Sequence, residues 1–259
     1  SKRRAEACAQ EHGIATVVDS YDEIINADQV NAIYNPLPIT HHHEWTIKAL
    51  RAGKHVLCEK SFVSNATEAQ EMLTVANETG LVLMDAFHYR YHPIFLKARE
   101  TVESCVLGKI HSISSTFSVP IVDADDIRMN YGTGGGVTMD IGCYPLSWVR
   151  HITGLEPEDV QATAETGPAN VDVYLETEMI FPGNIKVKTV GDMRPSAKFK
   201  ADIIVEGDAG KMIVKNPIAP QAGNAIDLVI DGAVTTETFS RRPTYRYQLD
   251  AFIDAVLTG

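Results

Sequence analysis

A chain of 259 residues, 44% hydrophobic and 22% charged, is long enough to bury one large core or two ordinary ones and too apolar to stay disordered. Its net charge of −11, with lysines and arginines scattered, excludes the clustered basic face that nucleic-acid binding needs. Cys8, Cys58, Cys105 and Cys143 form no C-x-x-C pair, no apolar run approaches the roughly 20 residues of a membrane span, and no signal segment opens the chain, so the expected setting is a reducing cytoplasm.

Residues 2–12 are strong helix formers that stop at Gly13, with Ser1 placed to cap them. Val30 to Tyr34 reads as a short buried strand, Thr40 to Arg51 as a helix ended by Gly53, and His55 to Cys58 as a second buried strand. Asn65, with Glu68 three residues on, opens a helix to Thr79 before Gly80, and Leu81 to Ala86 closes the series as a strand. That alternation implies parallel βαβ units and a first domain over residues 1–86. The domain opens on a helix, with no G-x-G-x-x-G before it, so the expectation is that its first βαβ unit is missing.

The rhythm changes after residue 86. A helix is expected near Ile94 to Glu103, a strand near Ile110 to Val119, then a long loop to Gly134-Gly135-Gly136 and a helix from about Ile141 to Thr153. Alternating segments at Val171 to Phe181, Ile185 to Val190, Ala201 to Val205, Lys211 to Val214 and Ile226 to Ile230 lie between Gly, Pro and Asn turns, which predicts a mostly antiparallel sheet. Tyr245 to Leu257 completes a second, α+β domain over residues 87–259.

Lys60 follows a parallel strand, at the end where ligands collect in open α/β sheets; there it is either a functional ammonium or a solvated surface lysine. Asp140 and Tyr144 stand four apart, a spacing that shares one helix face, and read either as an anion and a proton carrier or as a helix cap and a core aromatic. His41-His42-His43 point in different directions on a helix, so no metal is expected. His88 and His92 flank Arg90 and either line the crevice or pack internally.

Taken together, His55-Val56-Leu57-Cys58-Glu59-Lys60-Ser61 and Gly134 to Tyr144 resemble the "KHVxxEKP" and "GGGxxxDxGxY" motifs of the glucose-fructose oxidoreductase and inositol dehydrogenase family (Gfo/Idh/MocA). Asn35-Pro36-Leu37-Pro38 with His42, Glu44 and Trp45, Phe87 to Pro93, Asp126-Ile127-Arg128, and Arg242 to Tyr245 with Gln248 extend the resemblance along the chain. Ser61 stands where the family usually has proline, and Tyr144 places the chain in the tyrosine-bearing branch with dihydrodiol and NADP-linked xylose dehydrogenases.

The resemblance implies an incomplete Rossmann domain followed by a domain with a large open sheet, cut short at both ends. It implies hydride transfer between NADP or NAD and a secondary hydroxyl or carbonyl of a sugar, polyol or diol. Tyr144 would be the general acid/base, Lys60 would lower its pKa and Asp140 would hold a neighbouring substrate hydroxyl. Asn35, Pro36, His42, Glu59 and Lys60 would face the cofactor, and Arg90, Asp126 and Arg128 the substrate. Lys60, Asp140 and Tyr144 should then converge at the mouth of the parallel sheet. Ser1 and Arg3, in a run of a hydroxyl and three cations, would either favour a 2′-phosphate and hence NADP or form a solvated basic first turn. Sheet-to-sheet pairing into a homodimer or tetramer is also expected. The alternative is a non-catalytic ligand or nucleotide sensor of the same fold.

Overall fold

The computed structural model describes residues 2–167 and 170–259. Residues up to Asp85, joined by Ala255–Gly259, form one compact unit, and Ala86–Asp254 form a second.

The first unit opens with α1 (Lys2–His12), followed by α2 (Tyr21–Ile25), a short helix started by Ser20, whose side chain accepts from the Glu23 N–H. Then β1 (Ala32–Asn35), α3 (His42–Arg51), β2 (His55–Cys58), α4 (Ala66–Thr79) and β3 (Leu83–Asp85) alternate, and the three strands pair in parallel in the order β1-β2-β3. The expected cap of α4 is present: Asn65 Oδ1 accepts from the Glu68 N–H, while the Glu68 carboxylate accepts from the Ser64 N–H. Gly80 ends the helix in the left-handed region at φ 64°, which costs a glycine little. Leu50, Val56, Cys58, Met72 and Val75 close the core between α3, α4 and the sheet.

The second unit contains α5 (Pro93–Glu103), β4 (Ile110–Ser118), α6 (Cys143–Thr153), seven further strands, and most of α7 (Thr244–Thr258). The strands are β5 (Asp159–Thr166), β6 (Asp172–Phe181), β7 (Ile185–Asp192), β8 (Lys200–Gly207), β9 (Gly210–Lys215), β10 (Ala225–Ile230) and β11 (Ala233–Glu237). With β4 they form one eight-stranded sheet in the order β11-β10-β9-β8-β4-β7-β6-β5, antiparallel throughout except where β4 runs parallel to β7. One face turns Ile113, Phe117, Met179, Val187, Ile203 and Val205 into a core shared with Trp148, Val149 and Ile152 of α6. Among the described residues no helix is long and apolar enough to cross a membrane.

Three elements escaped the sequence pattern for the same reason. Every residue of the edge strands β5 and β11 is exposed, and α2 buries only Ile25, so none of them carries the inward-outward alternation by which an element is recognised.

Burial pushes the Cys58 thiol up to about 12, against a lowering contribution from Thr46, whereas Cys8 and Cys105 are exposed. At pH 8 an aromatic disulfide reagent should label Cys8 and Cys105 in the folded protein and reach Cys58 only after denaturation; rapid labelling of Cys58 under native conditions would contradict the packing of β2.

Candidate active site

In the first unit, Asn35 and Cys58 are paired residues at the carboxyl ends of the adjacent strands β1 and β2, so the loops that follow them emerge side by side. The loop after β2 begins with Glu59 and Lys60, both half-buried. The Glu59 N–H donates to the Asn35 carbonyl at 3.1 Å, tying the two strand ends together. Its carboxylate accepts from the Tyr34 hydroxyl at 2.6 Å and from the Lys60 N–H at 3.1 Å, which fixes the backbone from which the Lys60 ammonium extends. The peptide between Lys60 and Ser61 is cis.

His42 is completely buried, at 0% exposure. Its Nε2 lies 2.6 Å from the Leu37 carbonyl and its Nδ1 3.1 Å from the Phe62 carbonyl, so the ring bridges the two loops. Burial holds its pKa below the usual histidine range, against the raising effect of those carbonyls. Asn35 donates to Thr46 Oγ1 at 3.1 Å and to the His42 carbonyl at 3.3 Å, and its own Oδ1 accepts from the Leu37 N–H. The polar atoms of Asn35 and His42 are thus engaged between the loops that follow β1 and β2. A buried polar group needs a partner, and both have found theirs inside the protein, where they shape the loops. Pro36 is exposed, and Ser1 lies outside the described residues. Lys2 pairs with Asp19 at 2.6 Å, while Arg3 and Arg4 are exposed and form no ion pair among the described residues.

In the second unit the chain does not enter α6 as a simple helix. Thr138–Gly142 form a turn of π-helix, one residue wider than an α turn, running directly into α6. Asp140 stands in this widened turn, four residues before Tyr144 on the first turn of α6. Asp140 does not act as a cap. Its Oδ2 accepts from Arg128 Nε at 2.8 Å, and Arg128 also reaches Asp126 at 3.0 Å. Burial works to lower the Arg128 pKa, but the two carboxylates outweigh it and hold it above the ordinary value. Asp126, Arg128 and Asp140 thus form one ion cluster. Arg90 makes no hydrogen bond or ion pair to it among the described residues. It adds instead to the lowering of the pKa of His151, for which burial is the main cause.

The glycine triplet is what lets this cluster form. The N–H groups of Gly135 and Gly136 donate to the Asn130 and Arg128 carbonyls, both at 2.9 Å. A Cβ on Gly135 would stand 2.5 Å from the Arg128 carbonyl oxygen, and one on Gly136, at φ +122°, would collide with Asp172. Thr138 follows with its N–H on the Asp172 carboxylate at 2.9 Å.

Tyr144, at 5% exposure, lies on the first turn of α6. Phe87 and Phe117 meet its ring edge-on, each with centroids 5.3 Å away, a favourable geometry for the opposed quadrupoles. Its hydroxyl is 3.5 Å from Nε2 of His88, which in turn is 2.7 Å from the Thr244 hydroxyl through Nδ1. The sequence pattern around His88 fits either lining the crevice or packing, and no local signal points to Thr244, which lies 156 positions away.

Residues 1–87 match an oxidoreductase family described by its NAD-binding Rossmann fold, and residues 95–213 match the GFO/IDH/MocA C-terminal domain. The chain is 34% identical to D-xylose 1-dehydrogenase (NADP(+)) 2 of Haloferax volcanii, over 99% of this chain and 79% of that one. It belongs to the Gfo/Idh/MocA oxidoreductase family. Solved structures similar to it include an aldose-aldose oxidoreductase from Caulobacter crescentus complexed with glycerol, at 25% identity and a TM-score of 0.89 over 100% of this chain and 80% of that one. A 3-ketoreductase from Actinomadura kijaniata in complex with NADP and TDP-benzene is 26% identical, with a TM-score of 0.90 over 100% and 79% of the two chains. The expected architecture, a Rossmann-like parallel sheet and a large mostly antiparallel one, is what these relatives and the structure share. The protein is an NAD(P)-dependent oxidoreductase that transfers hydride.

Because Gly135 meets backbone and not a yielding side chain, Gly135→Ala should destabilise the second unit by about 1–3 kcal/mol. A shift in the urea midpoint with unchanged slope would measure this; an unshifted midpoint would mean the loop has room that the structure denies it.

Proposed function

We propose that the protein interconverts a secondary alcohol and a carbonyl on a sugar, polyol or dihydrodiol, using NADP in preference to NAD, with Tyr144 moving the proton. The observation that carries this is Tyr144 itself: a buried ring clamped by two aromatics, with only its phenol end polar, one turn after an ion-paired aspartate. The relatives add support, since D-xylose dehydrogenases and a trans-1,2-dihydrobenzene-1,2-diol dehydrogenase are among them. The solved variants of the 3-ketoreductase replace one lysine and one tyrosine, separated in that chain by the same number of positions as Lys60 and Tyr144 here.

When bound, the nicotinamide supplies or accepts the hydride. The protein's own groups handle the oxygen. As the alcohol carbon loses hydride, Tyr144 takes the hydroxyl proton, and in the reverse direction returns it. The Lys60 ammonium stabilises negative charge on the phenolic and substrate oxygens, and Asp140, oriented by Arg128, accepts from an adjacent substrate hydroxyl. Asp126 and Arg128 would serve the substrate through this cluster, with Arg90 a further substrate-side cation. Pro36, Glu59 and Lys60, on loops braced by Asn35 and His42, would hold the nicotinamide end of the cofactor. Arg3 would meet the 2′-phosphate.

The second unit is where we place self-association. The helices cover one face of its sheet; the other carries a depression of about 480 Å³ lined by Ser112, Ser114, Glu178, Ile180, Lys188 and Ile204, among others. Alternating charge and half-buried isoleucine suit pairing with the same face of a second copy. The four cysteines, all free thiols, are consistent with a reducing cytoplasm.

In full-length protein assayed with D-xylose and a panel of aldoses, polyols and diols, Tyr144→Phe should lower kcat by about 10²- to 10⁴-fold while cofactor binding survives. Full turnover of that variant on the best substrate would transfer the proton to another residue. The ratio of kcat/KM for NADP over NAD should exceed one and fall in Arg3→Glu; a tenfold preference for NAD would reject the cofactor assignment.

A further inference from the structure

An aromatic ring held on its faces and edges still has a hydroxyl hydrogen that turns about the C–O bond. The Phe87 and Phe117 contacts fix where the Tyr144 oxygen lies and leave the direction of its proton undecided. That direction depends on the polar atoms around the oxygen, and His88 Nε2 is one of them, 3.5 Å away. The separation is at the long end of hydrogen bonding, as catalytic contacts often are before substrate is bound.

His88 is itself held from two other sides. Thr244 Oγ1 lies 2.7 Å from Nδ1, and the Tyr245 ring stacks on the imidazole with centroids 4.1 Å apart and planes 24° from parallel. His88 and Thr244 are 3% and 1% exposed, so water does not compete for either contact. Both partners come from the first turn of α7, far along the chain from the Phe87–Tyr89 segment that carries the histidine. A buried histidine bonded to one threonine is ordinary core chemistry. This one directs its second nitrogen at the side chain that exchanges the proton.

We propose that His88 is a positioning residue for Tyr144, set by the first turn of α7. Resting on the reading of Tyr144 as the proton carrier, the inference assigns each hydrogen. The Thr244 hydroxyl donates to Nδ1, which leaves the imidazole hydrogen on Nε2, facing the phenolic oxygen. Nε2–H then donates to Tyr144 Oη in both states of the phenol. It turns the neutral O–H away from His88 and towards the substrate oxygen, and it stabilises the phenolate once the proton has left. No bond to the substrate is made by His88, and the hydride step is untouched.

The test uses full-length protein with NADP and D-xylose, or the best aldose of the panel. His88→Phe keeps a ring and removes the donor; since small misplacements at a reacting group cost up to about 10²-fold, kcat should fall roughly 10- to 100-fold. KM for the sugar and Kd for NADP should move by less than about threefold, because binding precedes the oriented proton transfer. His88→Gln, whose amide can donate to the phenol, should recover most of the loss, and His88→Phe added to Tyr144→Phe should cost nothing further. A folded His88→Phe enzyme with kcat within twofold of the parent, a His88→Gln variant as impaired as His88→Phe, or a rise in KM at constant kcat would each overturn the proposal. Should His88→Phe fail to fold, Thr244→Val carries the test. It preserves shape and removes the hydroxyl, so kcat should drop by about three- to tenfold with KM constant, and an unchanged kcat overturns the proposal. A fully active Tyr144→Phe would sink the underlying assignment of the base. An inactive Tyr144→Phe beside an unaffected His88→Phe would sink the positioning alone.

Discussion

The backbone of the π turn rests directly on the backbone of the large sheet. A Cβ on Gly191, in β7, would lie 3.0 Å from the Cα of Gly142, and one on Gly142 would lie 3.0 Å from the Val137 carbonyl and 3.3 Å from Leu175. Two glycines facing each other thus let the start of α6 sit closer to the sheet than side chains on both elements would permit. The π turn carries Asp140, the next turn carries Tyr144, and strand β4, parallel to β7, brings Phe117 against the tyrosine ring. A wider separation would leave the phenol without its aromatic clamp and Asp140 without the reach of Arg128.

Around this seat the protein uses charge and packing differently on its two sides. On the loop side, Asp126, Arg128 and Asp140 form a partly exposed ion cluster. Exposed pairs of this kind contribute little to stability, and their value lies in orientation: the arginine sets where the aspartate points. On the core side, neutral contacts dominate. Tyr89 donates to Ser147 at 2.7 Å, His88 meets Thr244, and aromatic rings fill the remaining space. A neutral hydrogen-bonded chain tolerates burial where a charge would not. The first unit follows the same economy, with His42 and Asn35 bracing the strand ends internally so that Pro36, Glu59 and Lys60 occupy the loops.

The family relationship narrows what these features do, and the departures say where this chain is individual. Ser61 follows the lysine where the family motif has proline, and Tyr144 stands where many members have histidine. Residues 120–131, ahead of the glycine triplet, carry the exposed side chains Val122, Ile127 and Tyr131.

The sequence by itself determined the alternation of helix and strand in the first unit, the caps at Asn65 and Gly80, the mostly antiparallel second sheet and the lysine at a parallel strand's end. Each of these is a local pattern of periodicity, propensity or turn chemistry. The glycine triplet and the spaced aspartate and tyrosine were legible too, as motifs. What they do was decided by tertiary contact. The π turn at Thr138–Gly142 and its close approach to Gly191 carry no local sequence signal, and neither does the bracing of Asn35 and His42 against carbonyls of neighbouring loops. Edge strands β5 and β11 were invisible because nothing on them is buried. The partnership of His88 with Tyr144 and Thr244 joins three distant segments, and no spacing rule relates residues that only the closed fold brings within hydrogen-bond reach.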